Sequence, residues 1–425
     1  MFRTALLSLL LLYVLQASTQ STYFPPATGT WESTPIEETG WCADEVPALY
    51  DYLDSIESKA FIVLKDGKIV LERYFDSFTE DSIWVWNSAG KGLTAFLVGR
   101  AQAEGLLDID DQTSDYLGEG WTNMSAARED LITVWHQLSM TTGMNDLFFA
   151  CTSPWCLFYV ADAGTRWSYH NGPYTLLRDV VEAASGIDYN SYTNSRVLGP
   201  TGMAGLWVES GDFNIFVSNA RSMARFGLLV SQQGNWDGTE LLGDTTYWRE
   251  MISPSQEINE SYGYLWWLNG QDSYMLPASQ IVFPGSIAPA APASMYSALG
   301  KDGQFLDILP EQGVIAIRMG ESVDGGLTAS ELHPEYWERL SKVILCDAPT
   351  GLESPESPSI NIPNPIPELL RLQGQGEARI FNASGQLIWS GSLPASIPTS
   401  NWNAGIYLLQ IQEGVNNRSR KLVLY

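Results

Sequence analysis

The order of patterned segments constrains this chain most. "KAFIVLKDGKIVLERYF" (59–75) is two β-rich runs around Asp66-Gly67, a pair suited to the positive backbone angles of a two-residue hairpin. Strand-like runs return only far downstream, in "YGYLWWLNG" (262–270), "GQFLDILP" (303–310) and "GVIAIRMG" (313–320). Between them, "LITVWHQLSMTTGM", "YTLLRDVVEAASG" and "NARSMARFGLLVSQQG" place apolar residues at helical spacing before a glycine or a turn. Strands, helices and strands again predict an α+β fold. Both ends of the main body should close one antiparallel sheet flanked by helices, with a mostly helical subdomain (88–235) inserted and a deep groove between the two parts.

The termini read differently. "MFRTALLSLLLLYVLQASTQ" has one arginine, an apolar stretch and then small residues, the pattern of a signal peptide over 1–19. The stretch is short for a membrane span, and no later segment approaches 18 apolar residues. An exported, soluble main body is expected over 20–350. A linker over 351–363 lies within the proline- and serine-rich "APTGLESPESPSINIPNPIPE". Residues 364–425 then alternate as short strands broken at Ser384-Gly385 and Ala404-Gly405, which predicts a small β-sandwich.

Charge and cysteines exclude several classes. Asp plus Glu total 49 against 23 Lys plus Arg, a net charge of -26 that repels phosphate backbones and anionic membranes. In an exported chain Cys42, Cys151, Cys156 and Cys346 would meet an oxidising compartment, where disulfides are favoured over metal ligation. Cys151 and Cys156 can close a small loop, and Cys42 and Cys346 can clip the ends of the body, yet all three pairings stay open. His136, His170 and His333 show no zinc-ligand spacing, and no cofactor or metal is expected.

Chemistry enters at "WVWNSAGKGLTAFLVG" (84–99). In a helix over 88–99, Ser88 and Lys91 share a face, so a hydroxyl meets an amine that can take its proton once desolvated. "WSYHNGPYTLL" puts Tyr169 and Asn171 two apart among turn formers, able to project a phenol and an amide together. Beside an ammonium, the phenol is expected to lose proton affinity. In "LGKDGQFLDILP", Lys301 stands at a strand entry, Gly303 would admit a substrate close to that strand, and the Gln304 N–H could pair with that of Ser88 as an oxyanion hole. His136 in "ITVWHQLSMTTGM" reads as structural.

Taken together, these motifs resemble the serine β-lactamase and penicillin-binding-like hydrolases, particularly their esterase, D-aminopeptidase and nylon-oligomer hydrolase branch. Ser88-Ala-Gly-Lys91 is similar to the family's S-x-x-K, Tyr169-His170-Asn171 to its Y-x-N, and Lys301-Asp302-Gly303 to its K-T-G or H-x-G. The likeness covers about 40–345 and implies a β-lactamase-like fold and an acyl-enzyme on Ser88. Ser88, Lys91 and Tyr169 would be catalytic, and Asn171, Lys301, Gly303 and Gln304 would bind substrate or its oxyanion. Asp302 replaces the hydroxyl residue of penicillin-recognising members, and Met140 stands where many relatives carry histidine. The tail (361–425) resembles the C-terminal sorting domain of the Bacteroidetes type IX secretion system, implying export through periplasm and outer membrane to the medium or cell surface, with that machinery as partner.

The expected reaction is hydrolysis of a small ester or short amide. Trp84, Trp86, Trp167, Trp266 and Trp267 cluster around the motifs, some as core and some lining the groove for flat or apolar acyl groups. A β-lactamase or D,D-peptidase, and a non-catalytic binding protein on the same fold, are the alternatives.

Overall fold

The hairpin at Asp66-Gly67 forms as its sequence dictates. Strands Ser58–Lys65 and Lys68–Tyr74 pair antiparallel, and both turn residues have positive φ, 49° and 85°. In the computed structural model, residues 22–424 are described, apart from 149, 322–328, 347–367, 374, 383–385, 404 and 414–415. The signal peptide, the linker and the Ser384-Gly385 turn thus lie outside the described residues.

Both ends of the main body meet in one sheet. Its order is 68–74, 58–65, 314–320, 304–309, 296–300, 267–268, with every neighbouring pair antiparallel. Side chains alternate across a strand, and the two faces of the sheet show it. Leu306 and Ile315 meet Gly227 of the helix Ala220–Ser231, where an added Cβ would approach them to 2.6 and 2.7 Å. Asp307, one residue on, points the other way and binds His333 and Trp337 of the helix Ala329–Ile344. The Cys42–Cys346 disulfide ties the start of the body to the end of that helix.

Two expected elements are shorter in the structure. Of 262–270, only Trp267–Leu268 is a strand, because Leu265 takes φ 63° and Gly263 packs onto the Met251 carbonyl. The motif "ITVWHQLSMTTGM" is helical only over Val134–Leu138, and the chain turns at Met140 with φ 61°. His136 has the structural role expected of it: its Nδ1 accepts from the Thr133 backbone N–H at 3.0 Å and caps that helix.

The helix Gly90–Ala103 runs through the middle of the body, and every residue from Gly90 to Gly99 is buried. Such a helix is buried all round and needs small residues where neighbours come close. At Gly99 an added Cβ would lie 2.2 Å from the Tyr247 ring, whose hydroxyl donates to the Ala95 carbonyl at 2.7 Å. Gly99→Ala is therefore expected to cost about 1–3 kcal/mol by overpacking. A thermal melt checks this, and an unchanged Tm would count against it.

The C-terminal segment forms the expected small β unit. Four strands are ordered 387–392, 377–382, 405–413, 416–424, and a second pair joins 369–372 to 395–398. Leu370, Leu372, Ile380, Ile397, Leu409 and Ile411 fill the space between them.

Candidate active site

Ser88 sits in a single 3-10 turn, Asn87–Ala89, immediately before the central helix rather than inside it. The short strand Trp84–Val85 leads in, paired to Val217 and Ser218, and Asn87 takes φ 49° at the bend. Trp86 fixes this approach: it is fully buried and its Nε1 donates to Ser218 Oγ at 2.7 Å.

Lys91, one turn on, is only 2% exposed. Its Nζ lies 3.0 Å from Ser88 Oγ and donates to Asn171 Oδ1 at 2.7 Å. The rings of Tyr174 and Tyr169 close the remaining sides, with centroids 4.1 and 4.9 Å away. Burial brings the proton affinity of Lys91 down to about 7. An amine held this way is substantially neutral at neutral pH and can accept the Ser88 proton.

Tyr169 is buried and makes a hydrogen bond with the Ser88 hydroxyl. Its proton affinity runs against expectation. Burial raises it, and the Ser88 hydrogen bond offsets only part of that rise. A desolvated phenolate costs more than a neighbouring amine of low charge can repay. The phenol is therefore a proton donor at neutral pH. Its ring stacks on Trp267 at 5.8 Å, and Trp167 and Tyr262 complete the packing around it.

The four residues Ser88, Lys91, Tyr169 and Asn171 thus converge. The Lys301–Gly303 motif arrives differently from the sequence expectation. These residues form a turn between the strands Tyr296–Gly300 and Gln304–Leu309, with Asp302 at φ 63° and Gly303 at φ 73°. At Gly303 an added Cβ would lie 2.0 Å from Arg318 Nη1, so the position is small to seat that guanidinium. Arg318 is fully buried and donates to the Asp302 and Gly303 carbonyls at 3.2 and 2.7 Å. Gln304 is likewise buried, on an interior strand paired to Gly300, and its amide nitrogen holds the carbonyls of Lys301, Asp302 and Gly320.

The backbone that borders the nucleophile is Gly300–Lys301. An added Cβ on Gly300 would fall 2.4 Å from the Trp86 carbonyl and 3.0 Å from the Ala89 nitrogen. Asn87 Nδ2 donates to the Lys301 carbonyl at 2.9 Å. The Lys301 side chain is exposed and supplies none of the influences on Tyr169.

Sequence reasoning missed Thr94, Tyr174 and Arg318. Thr94 falls three residues after Lys91 on the same helical face, and the Tyr189 hydroxyl donates to it at 3.1 Å. Tyr174 falls three after Asn171, so helical spacing was the available signal for both. Arg318 had none, since its partners are backbone carbonyls distant in the chain. Of the five tryptophans, Trp86, Trp167 and Trp266 are fully buried, and Trp84 is half-buried with Nε1 donating to the Gly320 carbonyl. Among the five, Trp267 and Trp167 pack directly on Tyr169. Among the described residues, no three or more His, Cys, Asp and Glu side chains are grouped to hold a metal ion.

The fold has known relatives. The family model described as Beta-lactamase matches residues 49–331, and that of the secretion system C-terminal sorting domain matches 360–425. Among solved structures, a Bacillus anthracis protein assigned as a 6-aminohexanoate-dimer hydrolase superposes with TM-score 0.59 at 17% identity, covering 76% of this chain and 89% of its own. An octameric penicillin-binding protein homologue from Pyrococcus abyssi gives 0.53 at 14%, covering 88% and 90%. A family VIII carboxylesterase gives 0.51 at 14%, covering 71% and 98%. At these identities the likeness is one of fold. No curated protein matches the sequence significantly. The sorting domain marks the chain for export by the type IX route. Since the first model spans well over half of its length, the chain belongs to the beta-lactamase family.

Proposed function

We propose that the protein is an exported serine hydrolase that cleaves small esters or short amides through an acyl-enzyme on Ser88. The observation that carries this reading is the buried Lys91 amine, 3.0 Å from the Ser88 hydroxyl and with its proton affinity near neutrality. Lys91 takes the Ser88 proton as the hydroxyl adds to the substrate carbonyl. As the adduct collapses, Tyr169, neutral and hydrogen-bonded to Ser88, passes a proton to the departing alkoxide or amine and takes up the one Lys91 received, so that no phenolate persists. Water then attacks the acyl-enzyme by the reverse relay. Asn171 holds the Lys91 nitrogen in line. The oxyanion would lie between the Ser88 N–H and a backbone N–H of the segment Gly300–Gln304, whose Gly300 borders the Trp86–Ala89 turn.

The substrate preference rests on a chain whose net charge of -26 opposes anionic ligands. Two of the structural neighbours, described as an aminohexanoate-dimer hydrolase and a carboxylesterase, fit that preference. The test is a panel of p-nitrophenyl esters of increasing chain length, D- and L-aminoacyl amides, a linear aminohexanoate dimer and nitrocefin, ranked by kcat/KM. Esters or amides should lead. Nitrocefin ahead of all of them would overturn the preference.

A further inference from the structure

The segment that carries Tyr169 and Asn171 has two faces. Tyr169 and Asn171 point at Ser88 and Lys91, as described. His170 turns its buried ring toward the Phe148 backbone, and Gly172 lies directly on the loop closed by Cys151 and Cys156. An added Cβ at Gly172 would stand 2.2 Å from the Cys151 carbonyl oxygen and 3.2 Å from Leu157 Cδ2. That contact is as close as backbone allows, so the position of Cys151 dictates where Gly172 can sit.

The loop itself is anchored on its far side. Asn145 N–H donates to the Phe158 carbonyl and Asn123 N–H to the Leu157 carbonyl, each at 2.9 Å. Cys156 and Leu157 are fully buried in a satellite cluster with Trp121, Ile132 and Met144. Between these anchors and Gly172 runs "CTSPWC", joined to the buried Cys156 by the disulfide. The bond fixes Cys151, and Cys151 fixes Gly172.

We propose that the Cys151–Cys156 disulfide is a positioning element of the active site, holding Gly172 and thereby Asn171 against Lys91. The inference rests on the hydrolase reading above. A five-residue separation closes too short a ring to restrain much of the unfolded chain, whereas Cys42–Cys346, separated by 304, closes a very long one. Global stability should therefore follow the second bond, and the geometry at Lys91 the first.

The readout is the pH profile. Lys91 is faced by Ser88, Asn171, Tyr169 and Tyr174, and burial is what depresses its proton affinity. If Asn171 and Gly172 loosen, water reaches the amine and its affinity climbs back toward 10.5. In the full-length Cys151→Ser/Cys156→Ser protein, the acid limb of kcat/KM for p-nitrophenyl acetate should move up by about one pH unit or more. Activity at pH 7 should fall about tenfold and largely return near pH 9. Cys42→Ser/Cys346→Ser should lower Tm and leave the limb in place. Gly172→Ala, with both disulfides intact, should move the limb as the first variant does, and it carries the test should that variant fail to fold. An unmoved limb in a folded variant that still labels at Ser88 would sink this proposal alone. No labelling of Ser88 in the wild type would sink the hydrolase reading beneath it.

Discussion

Ser88→Ala loses hydrolysis of the best ester in the panel by on the order of 10⁴-fold or more in kcat, because the variant has no group to form the covalent intermediate. Intact-mass analysis after treatment with a serine-reactive phosphonate shows a single adduct on wild type, mapped to Ser88, and none on the variant. The fold should be untouched, since Ser88 occupies one 3-10 turn and its hydroxyl bonds only within the site, to Lys91 and Tyr169. Equal rates in the two proteins, or an adduct on another residue, would remove Ser88 from the mechanism. Both the family membership and the fold would stand, and the acyl-enzyme on Ser88 would fall.

Lys91→Met abolishes the same activity and yet makes the protein more stable. A shift from 10.5 to about 7 means that burying this amine costs roughly 5 kcal/mol at neutral pH. Methionine removes the cost and nearly fills the volume. The loss of its bond to Asn171 Oδ1 gives back about 1–3 kcal/mol. A net rise of several degrees in Tm is expected, the stability exchanged for function at many active sites. The pH dependence identifies the cause. Between pH 7 and 10.5 the unfolded chain holds a proton on Lys91 that the folded chain has released. Raising the pH through that window therefore stabilises wild type relative to the variant. The gap should be full below pH 7 and close toward 10.5. A variant less stable than wild type at pH 7 would show that the amine is paid for by contacts other than those seen here.

The two predictions divide the legible from the illegible. Ser88, Lys91, Tyr169 and Asn171 could be read from the chain because each pair is local: S-x-x-K spans one helical turn, and Y-x-N is one extended step. The hairpin at Asp66-Gly67, the helix capped at Asn219 and the final strands were legible for the same reason, each being set by backbone preferences within a few residues. Patterning also pointed to one sheet shared by strands from both ends, although it could not fix the register of Val63 on Ala316.

The Lys301–Gly303 motif shows where that reasoning stopped. The sequence showed a lysine, a glycine and a strand entry, and it suggested a charge, a gap and a donor for the substrate. The tertiary structure exposes the lysine and fills the gap at Gly303 with Arg318, while the Gln304 side chain, for which the sequence carried no signal, is buried against three carbonyls. Arg318 comes from a strand reached only after the chain has turned back, so no local pattern could announce it. The proton affinities of Lys91 and Tyr169 belong to the same class. They follow from how completely water is excluded, and that depends on Tyr174, Trp267 and the whole sheet closing around them. By itself the sequence determined which groups meet within a turn or a step of chain, because backbone geometry is local. Only the tertiary structure decided which of them are charged and what fills the space between them, because desolvation is a property of the assembled core.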